Sequence, residues 1–161
     1  MVMAFPQAQI PEHVRQALFP FTGPLPWDDI DLRAQALPQA HAPLAVVCSA
    51  RMAYPHALTA VAMTIGTDIY IDPAYYDFYT AAGLSLIVHE AVHVRQFLET
   101  PNFLAEYNWA EQFVPADQPW LNPWEGQAYA AECEAYDYYV SAGLPPGSWL
   151  PLGKLMNFCP C

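Results

Sequence analysis

The chain has 161 residues, 55% of them hydrophobic, with 16 acidic side chains against five basic ones and a net charge of −11. So acidic a balance excludes nucleic-acid phosphates and anionic membrane surfaces as partners, and so apolar a composition excludes disorder. No apolar run reaches the roughly 18 residues that a membrane span needs, and the start, MVMAFPQAQIPEHVRQ, has neither the basic head nor the apolar core of a signal peptide. The expectation is one domain over residues 1–161, either cytoplasmic or exported by a non-classical route.

Residues 1–43 hold seven prolines, which remove backbone donors and break helices. A short helix is expected over Glu12 to Phe19. The rest of this arm is expected to run extended over the surface, anchored by Phe5, Phe19, Phe21 and Trp27, with His13 and His41 facing solvent. Covering a cleft is a second use for such an arm. Leu44 to Cys48 reads as a short strand. Ala60 to Ile65 and Ile69 to Ile71 read as strands around a hairpin turn at Gly66-Thr67-Asp68. Tyr75, Tyr76, Phe78 and Tyr79 are then expected beneath the helix that follows, for which Thr80 is a cap and Pro101 a stop.

Chemistry concentrates in that helix. Leu84 to Leu98 reads LSLIVHEAVHVRQFL, with apolar residues at three- and four-residue steps. Inside it, His89-Glu90-Ala91-Val92-His93 is an H-E-x-x-H pattern. Positions i and i+4 share a helix face, so His89 and His93 can aim at one point, as two ligands of tetrahedral zinc. Glu90 can then act as general base on a metal-activated water. The alternative is a pair of core histidines hydrogen-bonded to carboxylates, because buried polar groups need partners.

Asn102 to Phe113 reads as another helix with Phe103, Leu104, Tyr107 and Phe113 on its apolar side, and Val114 to Leu121 as a loop. Pro123 to Ser141 reads as the next helix, with Asn122 as N-cap and Gly143 as its stop. It supplies two candidates for a third ligand. Glu125 is one, but at the third helical position it equally closes a capping box. Glu132 lies two turns on, pointing the same way, and Glu134 points to the opposite side. The residues alone do not separate cap from ligand. The tail to Cys161 reads as irregular. Cys48, Cys133, Cys159 and Cys161 permit two disulfides, and with no secretion signal reduced thiols are expected.

HEAVHVRQF followed by NPWEGQAYAAE resembles the gluzincin pattern of H-E-x-x-H and a later Glu-x-x-Ala. More closely, the stretch from Met63 to Tyr139, and weakly Trp27 to Arg33, resembles a predicted bacterial metallopeptidase domain associated with extracellular contractile injection systems, a relative of the minigluzincins. The resemblance implies a zincin-like α+β fold, in which a small antiparallel or mixed sheet packs on the active-site helix and a third-ligand helix follows. The catalytic core would span residues 60–142. It also implies Zn2+ held by His89, His93 and Glu125, with Glu90 as base. Gly126-Gln127 departs from the family, which often has charged residues there.

The function expected is hydrolysis of peptide bonds in a peptide or protein substrate. An edge strand beside the zinc helix would hold that substrate by strand addition, and Thr67, Asp68, Ile69, Tyr70 and Ile71 are assigned that role. Tyr129 and His56, then Tyr107 and Tyr136, are candidates to stabilise the oxyanion. The competing function is a non-catalytic binding or assembly module that keeps a structural zinc site.

Overall fold

A computed structural model describes residues 10–37, 51–54, 57–115 and 117–155. The elements run α1 (Glu12–Thr22), β1 (Asp31–Ala34), β2 (Arg51–Tyr54), β3 (Ala57–Ala60), β4 (Ala62–Ile65), β5 (Asp68–Ile71), α2 (Ala81–Glu99), α3 (Phe103–Glu111), α4 (Pro123–Ser141) and α5 (Leu152–Leu155). The class is α+β, with a mixed three-stranded sheet ordered β1-β5-β4 and a separate β2-β3 pair.

The hairpin at Gly66-Thr67 forms as expected. Ile65 pairs with Asp68, which leaves two residues to turn, and Gly66 takes φ +63°, the left-handed region that glycine enters without steric cost. Three strand expectations change. The supposed single strand from Ala60 breaks at Val61 into β3 and β4. Part of the proline-rich arm is itself a strand, since β1 pairs in parallel with β5 from Asp31↔Asp68 to Ala34↔Ile71. As a result β5 is the central strand. Its backbone is bonded to β1 on one side and β4 on the other, and the Thr67 carbonyl accepts from the Asp31 amide. Thr67 to Ile71 therefore has no free edge, and strand addition there is withdrawn. Leu44 to Cys48, His41 and His56 lie outside the described residues.

Helix α2 is the centre of the molecule. Of its 19 residues, 15 are buried, because the sheet, α1 and α4 cover different sides of it. Thr80 caps it by accepting from the Gly83 amide. A Cβ at Gly83 would stand 2.1 Å from the Asp77 carbonyl oxygen, so only glycine lets the preceding loop lie against this turn. The next free amides of the first turn are satisfied from far away in sequence: those of Ala81 and Ala82 donate to the carbonyls of Pro145 and Pro146. Arg95 reaches the Thr22 carbonyl at the C-terminal end of α1, a favourable place for a cation. Helix α1 runs three residues beyond the expected end and through Pro20.

Helix α4 matches the expected Pro123–Ser141. It ends in paired bonds from Gly143 to Val140 and from Leu144 to Tyr139, with Gly143 at φ +95°, the Schellman arrangement. Tyr75, Tyr76 and Phe78 pack against the main core as expected, but Tyr79 is 75% exposed. Phe113 likewise faces solvent, because α3 stops at Glu111 and cannot carry it round to the core. Cys133 is buried and disulfide-bonded, which overturns the expectation of reduced thiols there; the other three cysteines lie outside the described residues.

Candidate metal centre

Two helices meet at one point. His89 and His93 lie one turn apart on α2, and the first turn of α4 brings Glu125 opposite them. The two Nε2 atoms are 3.2 Å apart. Glu125 Oε2 lies 3.2 Å from His89 Nε2 and 3.3 Å from His93 Nε2. The three atoms form a nearly equilateral triangle. Nitrogen and oxygen ligands about 2.0–2.1 Å from a tetrahedral ion stand about 3.3–3.4 Å from one another. Among the described residues this is the one group of His, Cys, Asp or Glu gathered closely enough to hold a metal ion.

The protons support the same assignment. His89 Nδ1 lies 2.9 Å from Glu132 Oε2, and His93 Nδ1 lies 2.8 Å from Gln96 Oε1. Gln96 cannot be turned over, because its Nε2 donates to the Trp124 carbonyl at 3.0 Å and to Gln127 Oε1 at 3.1 Å. Both partners of the Nδ1 atoms are acceptors, so both Nδ1 atoms carry hydrogen. A ring that carries its hydrogen at Nδ1 offers the Nε2 lone pair to a cation when it is neutral. With the two Nε2 atoms and Glu125 Oε2 at 3.2–3.3 Å from one another, a proton or a metal ion between them relieves the crowding of acceptors. A divalent ion also balances the two buried carboxylates of Glu125 and Glu132.

Charge at the centre points the same way. Burial works against a proton on His89, but Glu125 and Glu132 override it and push the imidazole up to about 10. Burial would raise the Glu125 carboxyl, yet His93 and His89 hold it far below the ordinary carboxylate range. The site pulls positive charge toward the space between these three side chains.

The outer partners resolve most of the alternatives left open by the sequence. Glu125 does not close a capping box: the Asn122 amide that it would accept from donates to the Pro119 carbonyl, and the Glu125 oxygens face Tyr107 and the two imidazoles, while the Asn122 side chain caps α4 by accepting from the Trp124 amide. Glu132 is not in the triangle but behind it, on His89. Tyr107, an oxyanion candidate, donates to Glu125 Oε1 at 2.6 Å and so holds that carboxylate in place. Tyr136 belongs to the hydrophobic core. The Tyr129 ring packs edge-on against His89, with centroids 4.5 Å apart. Gly126 and Gln127, the departures from the family pattern, have local reasons. A Cβ at Gly126 would lie 2.9 Å from the Trp120 carbonyl oxygen, and Gln127 is the partner that fixes Gln96.

Glu90 is fully buried on the β4 side of α2. Thr64 Oγ1 lies 2.5 Å from its Oε2 and 3.2 Å from its backbone carbonyl. Burial raises its carboxyl above the ordinary range, against the pull of His89, His93 and Thr64. The sequence did not single out Thr64, whose hydroxyl points inward only because β4 is the strand next to α2. His89, Glu90 and His93 are each 0% exposed and Glu125 is 1% exposed, so the centre is closed to solvent.

The molecule is thus an α+β protein with a buried His-His-Glu group able to hold a metal ion. Residues 47–101 match the family model described as the eCIS core domain, which associates this stretch with extracellular contractile injection systems. The match covers α2, with both histidines, and ends before α4 and Glu125. No curated protein and no solved structure matches the chain.

Proposed function

We propose that the chain is a zincin-like, zinc-dependent metallopeptidase of contractile injection systems. The observation that carries this reading is the triangle of His89 Nε2, His93 Nε2 and Glu125 Oε2, set beside the buried carboxyl of Glu90. Two imidazoles and one carboxylate are a donor set that suits zinc and leaves a fourth position open. Zinc held by these three residues would supply Lewis acidity and make an attacking water a stronger acid. Glu90 would accept a proton from the attacking water and return it to the leaving amine. Thr64 holds the Glu90 carboxylate in place for both transfers. Glu132 and Gln96 keep the two imidazole rings in one tautomer, and Tyr107 keeps Glu125 turned toward them.

Glu90→Gln tests the reading. The variant keeps the metal, because Glu90 is outside the ligand triangle, and it loses peptide cleavage by about 10²–10⁴-fold, the usual contribution of a general base. Metal content and hydrolysis of a quenched peptide, with and without chelator, are the measurements. Full activity in the variant removes Glu90 as base.

A second reading is favoured by one observation, the closure of the centre to solvent. In that reading the zinc is a structural staple of an assembly module. Wild-type protein with stoichiometric zinc, but with no cleavage above the Glu90→Gln level, would establish it.

A further inference from the structure

Helix α3 and the first turn of α4 enclose an open groove of about 490 Å3, lined by Ala105, Glu106, Trp109, Ala110, Pro123 and Trp124. Its volume lies within the roughly 300–1,000 Å3 range of ligand-binding pockets. The lining is mainly apolar. Large apolar side chains at its edge stand in solvent: Trp109 is 65% exposed and Phe113 68%. Trp109 and Phe113 stack on one another, with ring centroids 5.0 Å apart. Large apolar side chains gathered in solvent mark interaction sites, and tryptophan is enriched among residues that dominate binding energy.

The groove is rigid at its base. The Trp124 carbonyl accepts from Gln96, and the Trp124 ring packs edge-on against Phe103 at 5.2 Å. Its electrostatic sign is also fixed. No lysine or arginine occurs between Arg95 and Lys154, whereas Glu99, Glu106, Glu111 and Asp117 all fall on α3 or its flanks, and Glu106 lines the groove itself. A second copy of this chain, with its charge of −11, would bring like charges together. A segment bearing lysine or arginine beside an apolar anchor complements both the lining and the rim.

We propose that this groove docks a short basic segment of a partner protein, with an aromatic or large aliphatic side chain seated against Trp109 and Trp124. The proposal does not depend on catalysis at the metal centre. Fluorescence anisotropy of three labelled peptides tests it on the full chain: KRWLKR, its acidic counterpart EDWLED, and KRSSKR, which has the charge without the anchor. The expected result is that KRWLKR binds at least tenfold more tightly than either control. Trp109→Ser should weaken it at least tenfold and Glu106→Gln severalfold. Trp109 is exposed, so Trp109→Ser should melt at the wild-type temperature, which separates lost binding from lost folding. Equal binding of KRWLKR and KRSSKR, or binding indifferent to Trp109→Ser, overturns the proposal by reducing it to general attraction to an acidic protein. A concentration-dependent dimer in sedimentation that Trp109→Ser abolishes overturns it too, by assigning the groove to a second copy.

Discussion

His89 is engaged at both ring nitrogens, with Glu132 behind it and the ligand triangle ahead. That pair of contacts divides the work of the two carboxylates on α4. On the proposed reading Glu125 supplies a ligand atom, so Glu125→Ala should abolish tight metal binding. Glu132→Gln leaves the ligands intact but loses a carboxylate that orients the ring, and losses of that kind cost about 10–100-fold in affinity. Competition against a chromophoric chelator measures both, and the reverse order of severity would make Glu132 the ligand. The sequence could place Glu125 and Glu132 on one side of α4 from the helical period alone. It could not rank them, because the ranking depends on how closely the two helices approach and on Tyr107, which arrives from a third helix. The meeting of His89 and His93 was legible because their spacing is local to one helix. Thr64 was not, since nothing in the sequence gives the side of a four-residue strand that faces α2.

At the scale of elements, helices were easier to read than strands. Asn122, Pro123 and Gly143 bracket α4 with signals that act through the nearest few peptides, and the observed ends agree with them. Each strand is only four residues long, too short for a period-two pattern to stand out. The pairing of β1 with β5 joins segments 37 residues apart, Asp31 to Asp68. A rule about neighbouring residues cannot see it, and missing it turned a central strand into a supposed edge. The start of α2 gives a sharper test of packing. Gly83→Ala would drive a methyl into the Asp77 backbone at 2.1 Å. Overpacking of this kind costs roughly 1–3 kcal/mol, so the urea midpoint should fall with little change in slope. An unchanged midpoint would mean that the 77–80 loop yields without cost.

Over the whole molecule, the metal and the fold should be one equilibrium. Glu125 and Glu132 are buried against His89, and taking such carboxylates out of water opposes folding unless positive charge between them offsets the cost. An ion present at about a thousand times its dissociation constant stabilises by about 4 kcal/mol. For a chain of this size that is a rise of roughly 8–16 °C in melting temperature. Differential scanning fluorimetry with added zinc, then with chelator, measures it; a melting temperature indifferent to both would show that no ion binds the folded state.

The carbonyls of Pro145 and Pro146, bonded to the first amides of α2, join the far end of α4 to the near end of α2. The two helices are thereby antiparallel, fastened at one end by backbone and at the other by His93 and Glu125, between which the proposed ion would sit. Stripping the ion should therefore act unevenly along the pair. Deuterium uptake should quicken at the first turn of α4 and in α3, while the amides of Ala81 and Ala82 keep their protection.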